Sequence, residues 1–119
     1  MSGLRLTTIL LGLAVLALGA CSGDGEPAPC ENPQRATEVT MDDFSYEPTC
    51  VEASVGTTLD VVNEGQAPHT FTIEADPGAD LDVPAGERGS LDVPQLDPGT
   101  YSVTCTYHPQ MEAALLVSS

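Results

Sequence analysis

The stretch that decides the fold is Thr100-Tyr-Ser-Val-Thr-Cys-Thr-Tyr-His-Pro-Gln-Met111, near the C-terminus of a chain of 119 residues. Up to Cys105 every second residue is apolar, which is typical of a half-buried β-strand. The segment that follows carries an imidazole at His108 and a thioether at Met111. Together with the thiol of Cys105, these groups place three potential metal ligands in one short loop.

The remaining histidine of the chain, His69, lies in Ala67-Pro-His-Thr-Phe71. Two histidines, one cysteine and a weak axial methionine form the ligand set of an electron-transfer copper site. Taken singly, each of these residues is more often structural than a ligand: a structural histidine, a buried thiol or a core methionine. The conjunction of His69, Cys105, His108 and Met111 at this spacing favours a copper site.

Short β-type segments make up the rest of the chain from residue 36 onward. Turn residues separate them, and no convincing amphipathic helix interrupts them, so we predict an all-β sandwich or barrel of seven to eight strands. Tyr101 comes shortly after an Asp-Pro-Gly turn, and we expect its hydroxyl to bond a backbone group of that turn. A redox role for Tyr101 is the alternative. The predicted strands span residues 38–41, 49–53, 57–63, 69–74, 87–93, 100–105 and 113–118.

The first twenty residues have the pattern of a secretory signal. Arg5 precedes an apolar run that is short for a membrane span, and Leu-Gly-Ala stands before Cys21. We predict cleavage before Cys21, lipidation of that cysteine and a Pro/Gly-rich tether over 21–35, which leaves 36–119 as the folded domain. An ordinary signal with an incidental cysteine is the alternative.

Two further cysteines, Cys30 and Cys50, remain after Cys21 and Cys105 are assigned. In an exported protein an even pair predicts a disulfide, and closing this loop would contribute about 3 kcal/mol. Two free thiols are the alternative.

The charge of the chain is strongly negative, with 18 acidic and three basic residues. Loss of the leader removes Arg5 and leaves two arginines against 18 acidic residues, a charge of −16. Such a chain lacks the cations that neutralise phosphates, which excludes nucleic-acid binding. An acidic surface can steer a basic partner, or it can serve solubility and salt tolerance.

With these motifs in place, residues 36–119 resemble a cupredoxin of the plastocyanin–azurin family, as a bacterial or archaeal lipoprotein. The Cys-x2-His-x2-Met loop has the short spacing of amicyanins, and Pro68 precedes His69 as in the family. The resemblance implies a Greek-key sandwich with one type 1 copper ion at one end. It also implies electron transfer through an apolar patch around His108, formed by Ala67, Pro68, Tyr107 and Pro109.

One departure from the family concerns Thr70, where many relatives have asparagine after the first histidine. Its backbone N–H could still donate to the Cys105 sulfur. The Thr70 hydroxyl could also hydrogen-bond the ligand loop at Thr106. The alternative is that Thr70 is an ordinary β-branched strand residue whose hydroxyl has no such role.

The function implied is single-electron transfer between redox proteins, such as cytochromes or oxidases, by a monomer anchored by lipid outside the cytoplasmic membrane, on its periplasmic or extracellular side. No histidines are left over for the extra coppers of a multicopper enzyme, so we expect a carrier rather than an enzyme. One alternative is a copper chaperone, scavenger or sensor, and another is a metal-free immunoglobulin-like module.

Overall fold

The computed structural model describes residues 30–118, which form two β-sheets packed face to face. Every regular element in this part of the chain is a strand, and none of it forms a helix suited to crossing a bilayer. The predicted signal and lipidation site at Cys21 lie outside the described residues. The strands are β1 (Gln34–Arg35), β2 (Glu38–Asp42), β3 (Ser45–Glu47), β4 (Cys50–Ser54), β5 (Thr58–Asn63), β6 (His69–Ile73), β7 (Ala79–Val83), β8 (Arg88–Asp92), β9 (Gly99–Cys105) and β10 (His108–Ser118).

The strand order confirms the predicted all-β sandwich and adds strands at its margins. One sheet has the order β1-β4-β10-β9-β6-β7 and the other has the order β3-β2-β5-β8. The three strands that the sequence did not predict, β1, β3 and β7, are all edge strands. Strands β1 and β3 have only two and three residues, which is too short to show the hydrophobic alternation from which strands are predicted.

The described domain begins before residue 36, because β1 pairs in parallel with β4 at Gln34↔Val51. A disulfide joins Cys30 to Cys50, with their Cα atoms 5.3 Å apart. The last residues of the predicted tether are thus attached to the six-stranded sheet. Tyr101 donates a 2.7 Å hydrogen bond to the backbone carbonyl of Asp97, so the predicted cap at the turn is present.

The core lies between the two sheets and is built from alternating residues of the central strands. In β5, for example, Leu59 and Val61 are fully buried between half-exposed neighbours. Tyr46 of β3 meets Phe71 of β6 edge to face, with ring centroids 5.9 Å apart, and such a pair contributes about 0.5–1.5 kcal/mol beyond its burial. Phe44, the other phenylalanine, is 62% exposed and takes no part in this core.

Candidate metal centre

The β9–β10 hairpin holds three of the four predicted ligands. Cys105 and His108 are directly paired across a two-residue turn, so their side chains lie next to each other. The register then shifts between His108 and Glu112, where β10 bulges away from β9. Met111 lies in this bulge with no exposed surface. A bulge commonly redirects a side chain, and here it lets thiol, imidazole and thioether come from one hairpin.

His69 is the first residue of β6, the strand that pairs with β9. Its side chain is fully buried, and its Nδ1 lies 3.9 Å from the Sγ of Cys105. The rings of His69 and His108 have centroids 5.2 Å apart. The fold therefore brings the distant histidine to the ligand hairpin, as the sequence predicted.

The chemistry of this donor set fits copper, because thiolate and thioether suit Cu(I) and imidazole suits both oxidation states. The only free thiol among residues 30–118 is that of Cys105, which is buried. In the same residues, no three side chains of the His, Cys, Asp and Glu types are already grouped as a metal site. The thioether of Met111 is not among those types, and ligation by the four residues stays a prediction.

Thr70, which follows the buried histidine, contacts the ligand hairpin twice. Its backbone N–H donates to the Cys105 sulfur at 3.4 Å, and its Oγ1 accepts from the backbone N–H of Thr106 at 2.9 Å. Both contacts considered for this residue from the sequence are therefore present. A hydrogen bond to the sulfur is one of the ways in which a protein tunes a cysteine-bound copper.

A hydrogen-bonded chain continues from Thr70 to the surface. Thr72 Oγ1 lies 2.9 Å from Thr70 Oγ1 and donates to the carboxylate of Asp80 at 2.7 Å. A hydroxyl has one hydrogen and a carboxylate only accepts, so Thr72 spends its hydrogen on Asp80 and Thr70 must donate to Thr72. Every bond in the chain thus points from the Thr106 N–H toward Asp80.

The solvent side of the site is covered by an aromatic ring that the sequence analysis did not assign to it. Phe44 stands edge-on to His108, with ring centroids 4.8 Å apart, and 6.3 Å from His69. Tyr107 is 49% exposed, and its hydroxyl donates to Asp82, which raises the pKa of the phenol. Of the residues that the resemblance assigns to an apolar patch around His108, Pro68 and Pro109 are also exposed and Ala67 is half-buried.

Asp43, the residue before Phe44, also belongs to the site and was missed. Its Oδ1 lies 3.1 Å from Nε2 of His69, and its carboxylate accepts from the backbone N–H of Gln66. These donors, with Gln66 first, hold the pKa of Asp43 below its ordinary value. Asp43 and His69 are 26 residues apart in sequence, so no local pattern connects them.

Each of the two arginines of the described region lies in an ion pair with a glutamate. Arg35 pairs with Glu52 at 3.3 Å and Arg88 with Glu38 at 3.4 Å. These exposed pairs contribute little to stability. Among the described residues, no arginine contacts Asp82 or Tyr107, which lie beside the candidate ligands.

Comparison with known proteins agrees with this geometry. The family model of the cupredoxin-like domain matches residues 8–117. Amicyanin-alpha of Methylorubrum extorquens is 29% identical over 107 residues, which cover 87% of this chain and 86% of that protein.

Solved structures show the same fold. A reduced amicyanin variant is 25% identical with a TM-score of 0.59, and the match covers 74% of this chain and 87% of that one. A purple cupredoxin from Nitrosopumilus maritimus matches with 21% identity and a TM-score of 0.56 over 70% of this chain and all of that one. The family match spans most of the chain and the sandwich is shared, and the chain therefore belongs to the cupredoxin-like family.

Proposed function

We propose that this protein is a type 1 copper protein that carries single electrons between redox proteins outside the cytoplasmic membrane. The observation that carries the proposal is the meeting of His69 Nδ1 and Cys105 Sγ at 3.9 Å beside the paired His108. Bound copper would supply a one-electron couple at this point. His69, Cys105, His108 and Met111 would hold it, and no catalytic step is assigned to the chain.

The protein's own contribution is to fix the positions of these donor atoms and to shield them from water. His69, Cys105 and Met111 are at most 1% exposed, and Thr70 ties β6 to the hairpin from both its backbone and its hydroxyl. Donors that do not move when the oxidation state changes favour fast electron transfer. His108 is the one candidate ligand with partial exposure, so its ring edge is the route by which electrons would enter and leave.

The burial of the candidate donor atoms also distinguishes an electron carrier from a protein that delivers copper. A chaperone exchanges its ion with a partner's ligands, which requires exposed donors. Here the thiol and thioether are enclosed by the core, and Phe44 stands over the histidines. This enclosure favours a resident ion over a cargo.

Copper addition to the purified full-length apoprotein tests the proposal. We expect Cu(II) to produce an intense thiolate-to-copper absorption, and ascorbate to bleach it reversibly. A colourless site that takes up only Cu(I) would support the copper-handling alternative instead. Absence of any copper uptake by the folded chain would refute both.

Partner association would use the apolar patch within a strongly acidic surface. If the acidic side chains steer a cationic redox protein, the second-order rate with a cationic cytochrome should fall steeply as the Debye length shortens from about 30 Å to about 8 Å. The variant Pro109→Arg places a bulky cationic side chain where the partner would dock, and it should slow the rate without altering the copper spectrum. A flat salt profile would assign the acidic surface to solubility or salt tolerance.

The membrane anchor is part of the same proposal and depends on the N-terminal motif. We expect mass spectrometry of the protein from its native membrane to show an N-terminus at Cys21 that carries lipid. The variant Cys21→Ser should be released from the membrane while it retains copper. A chain that keeps residues 1–20 would contradict cleavage before Cys21 and support the use of this segment as a permanent anchor.

A further inference from the structure

The carboxylate of Asp43 holds together two segments that are separate in the chain, the β2–β3 turn and the loop before β6. It accepts from the backbone N–H of Gln66 at 3.0 Å through both oxygens, and from Ala67 at 3.2 Å. Its Oδ1 also lies 3.1 Å from Nε2 of His69. One partly exposed side chain thus contacts two consecutive backbone N–H groups of the loop and the ring of the buried histidine that follows the loop.

The loop lies so close to Asp43 that a side chain would not fit at Gly65. A Cβ atom there would come within 2.4 Å of Asp43 Oδ1 and 3.0 Å of its backbone nitrogen. On the other side, Asn63 accepts from the N–H of Gly65 and donates to the carbonyls of Ala67 and Val83, each at 2.9 Å. The loop is therefore held from both sides, and the position of His69 follows from it.

The contact with Asp43 also decides which nitrogen of His69 carries the proton. A carboxylate only accepts hydrogen bonds, so Nε2 must be the donor in this pair. A neutral imidazole has one N–H, which leaves Nδ1 with a free lone pair. That nitrogen is the one 3.9 Å from the Cys105 sulfur.

We propose that Asp43 is a positioning residue, which presents His69 with Nδ1 free and aimed at Cys105. The inference rests on the proposed copper site for its purpose, while the tautomer it requires exists without metal. A carboxylate behind a ligating histidine fixes the ring and raises its basicity. The negative charge also favours the more positive oxidation state of a bound ion.

Two substitutions separate the charge of Asp43 from its role as an acceptor. Asp43→Asn retains one acceptor oxygen, so we expect the His69 tautomer to persist and the reduction potential to rise. Asp43→Ala removes the acceptor, so Nε2–H should lose its dominance and copper affinity should fall about 10- to 100-fold. The matched control is Glu64→Gln, which removes an exposed charge from the same loop.

The first measurement uses the metal-free full-length chain, by nitrogen-15 NMR of the histidine rings at neutral pH. The wild type and Asp43→Asn should show His69 as the Nε2–H tautomer, and Asp43→Ala should show a mixture. An Nδ1–H tautomer in the wild type would overturn the proposal. If Asp43→Ala does not fold, the Asp43→Asn variant still decides, because its potential must rise more than that of Glu64→Gln.

The second measurement is copper affinity and potential of the same variants. Copper binding that is equal in wild type and a folded Asp43→Ala variant would overturn the positioning role and leave the proposed function intact. Failure of every variant to bind copper, with the expected tautomers present, would refute the proposed function and leave the assignment of Asp43 standing.

Discussion

The two sheets of this protein divide its work unequally. All four candidate ligands lie on β6, β9 and β10 of the six-stranded sheet. The four-stranded sheet, with its β2–β3 turn, supplies residues that contact this site: Asp43 at His69, Phe44 at His108, and Tyr46, whose hydroxyl donates at 2.6 Å to the carbonyl of Thr70, the residue after His69. The six-stranded sheet therefore carries the candidate ligands, and the four-stranded sheet carries residues that support them.

The largest effect is expected from a substitution among the candidate ligands of the six-stranded sheet. Cys105→Ser replaces the thiol with a hydroxyl, which cannot supply the thiolate charge transfer, so the visible absorption of the copper form should disappear. The matched control is Thr106→Ser in the adjacent turn, which should retain the colour. A fully coloured Cys105→Ser protein would exclude Cys105 as a ligand and weaken the division between the sheets.

Two buried methionines provide the second comparison. Met111 and Met41 are both 0% exposed, but Met111 lies in the β10 bulge and Met41 in β2. Met111→Gln should retain copper and lower the reduction potential, because a harder axial ligand favours Cu(II). Met41→Leu should leave the potential unchanged. Equal voltammograms for wild type and Met111→Gln would show that Met111 serves only packing.

Tyr46 tests how much the four-stranded sheet contributes by support alone. Tyr46→Phe removes the buried hydrogen bond to Thr70 and should lower the free energy of unfolding of the apoprotein by about 1 kcal/mol in urea titrations. Tyr101→Phe is the control, since its hydroxyl bonds the carbonyl of Asp97 at the protein surface. A loss no larger in Tyr46→Phe than in the control would deny this support role.

The pH dependence of stability sharpens the same test. Burial, followed by Cys105, raises the pKa of Tyr46 above its ordinary value of 10.0. The contribution of a raised pKa is complete below the unfolded-state pKa, so the wild type should lose stability as the pH rises above 10. Tyr46→Phe lacks the ionising group and should show a shallower decline, whereas an identical decline would contradict the assignment.

The smallest effect concerns the chain of hydroxyls within the six-stranded sheet. Thr72→Val removes the acceptor of the Thr70 hydroxyl, so exchange of the Thr106 amide hydrogen should quicken slightly, and more so in Thr70→Val. The free energy of unfolding of Thr72→Val should differ from that of the wild type by about 0.5 kcal/mol or less. Thr104→Val, which breaks a surface bond to Glu74, is the control. Equal exchange in all variants would remove the chain as a brace.

Prediction from sequence found every central strand and the edge strand β8, and it missed the other three edge strands. Strand β5 alternates clearly because one of its faces is buried, and β6 alternates in residue type although Thr70 on its other face is buried as well. Strand β7, Ala79-Asp-Leu-Asp-Val83, also alternates, but its aspartates are rare in strands and hid it. Phe44, one of only two phenylalanines, lies at the surface instead of the core, where it has a positive φ of 74° at the β2–β3 turn.

The sequence by itself determined the fold class and the candidate ligands, because strand alternation and the Cys-x2-His-x2-Met spacing are local patterns. Only the tertiary structure decided that Asp43 meets His69 and that Phe44 covers His108. Those contacts join residues that no local pattern connects. They depend on how two sheets pack and on how closely a loop with glycine at position 65 can approach a carboxylate.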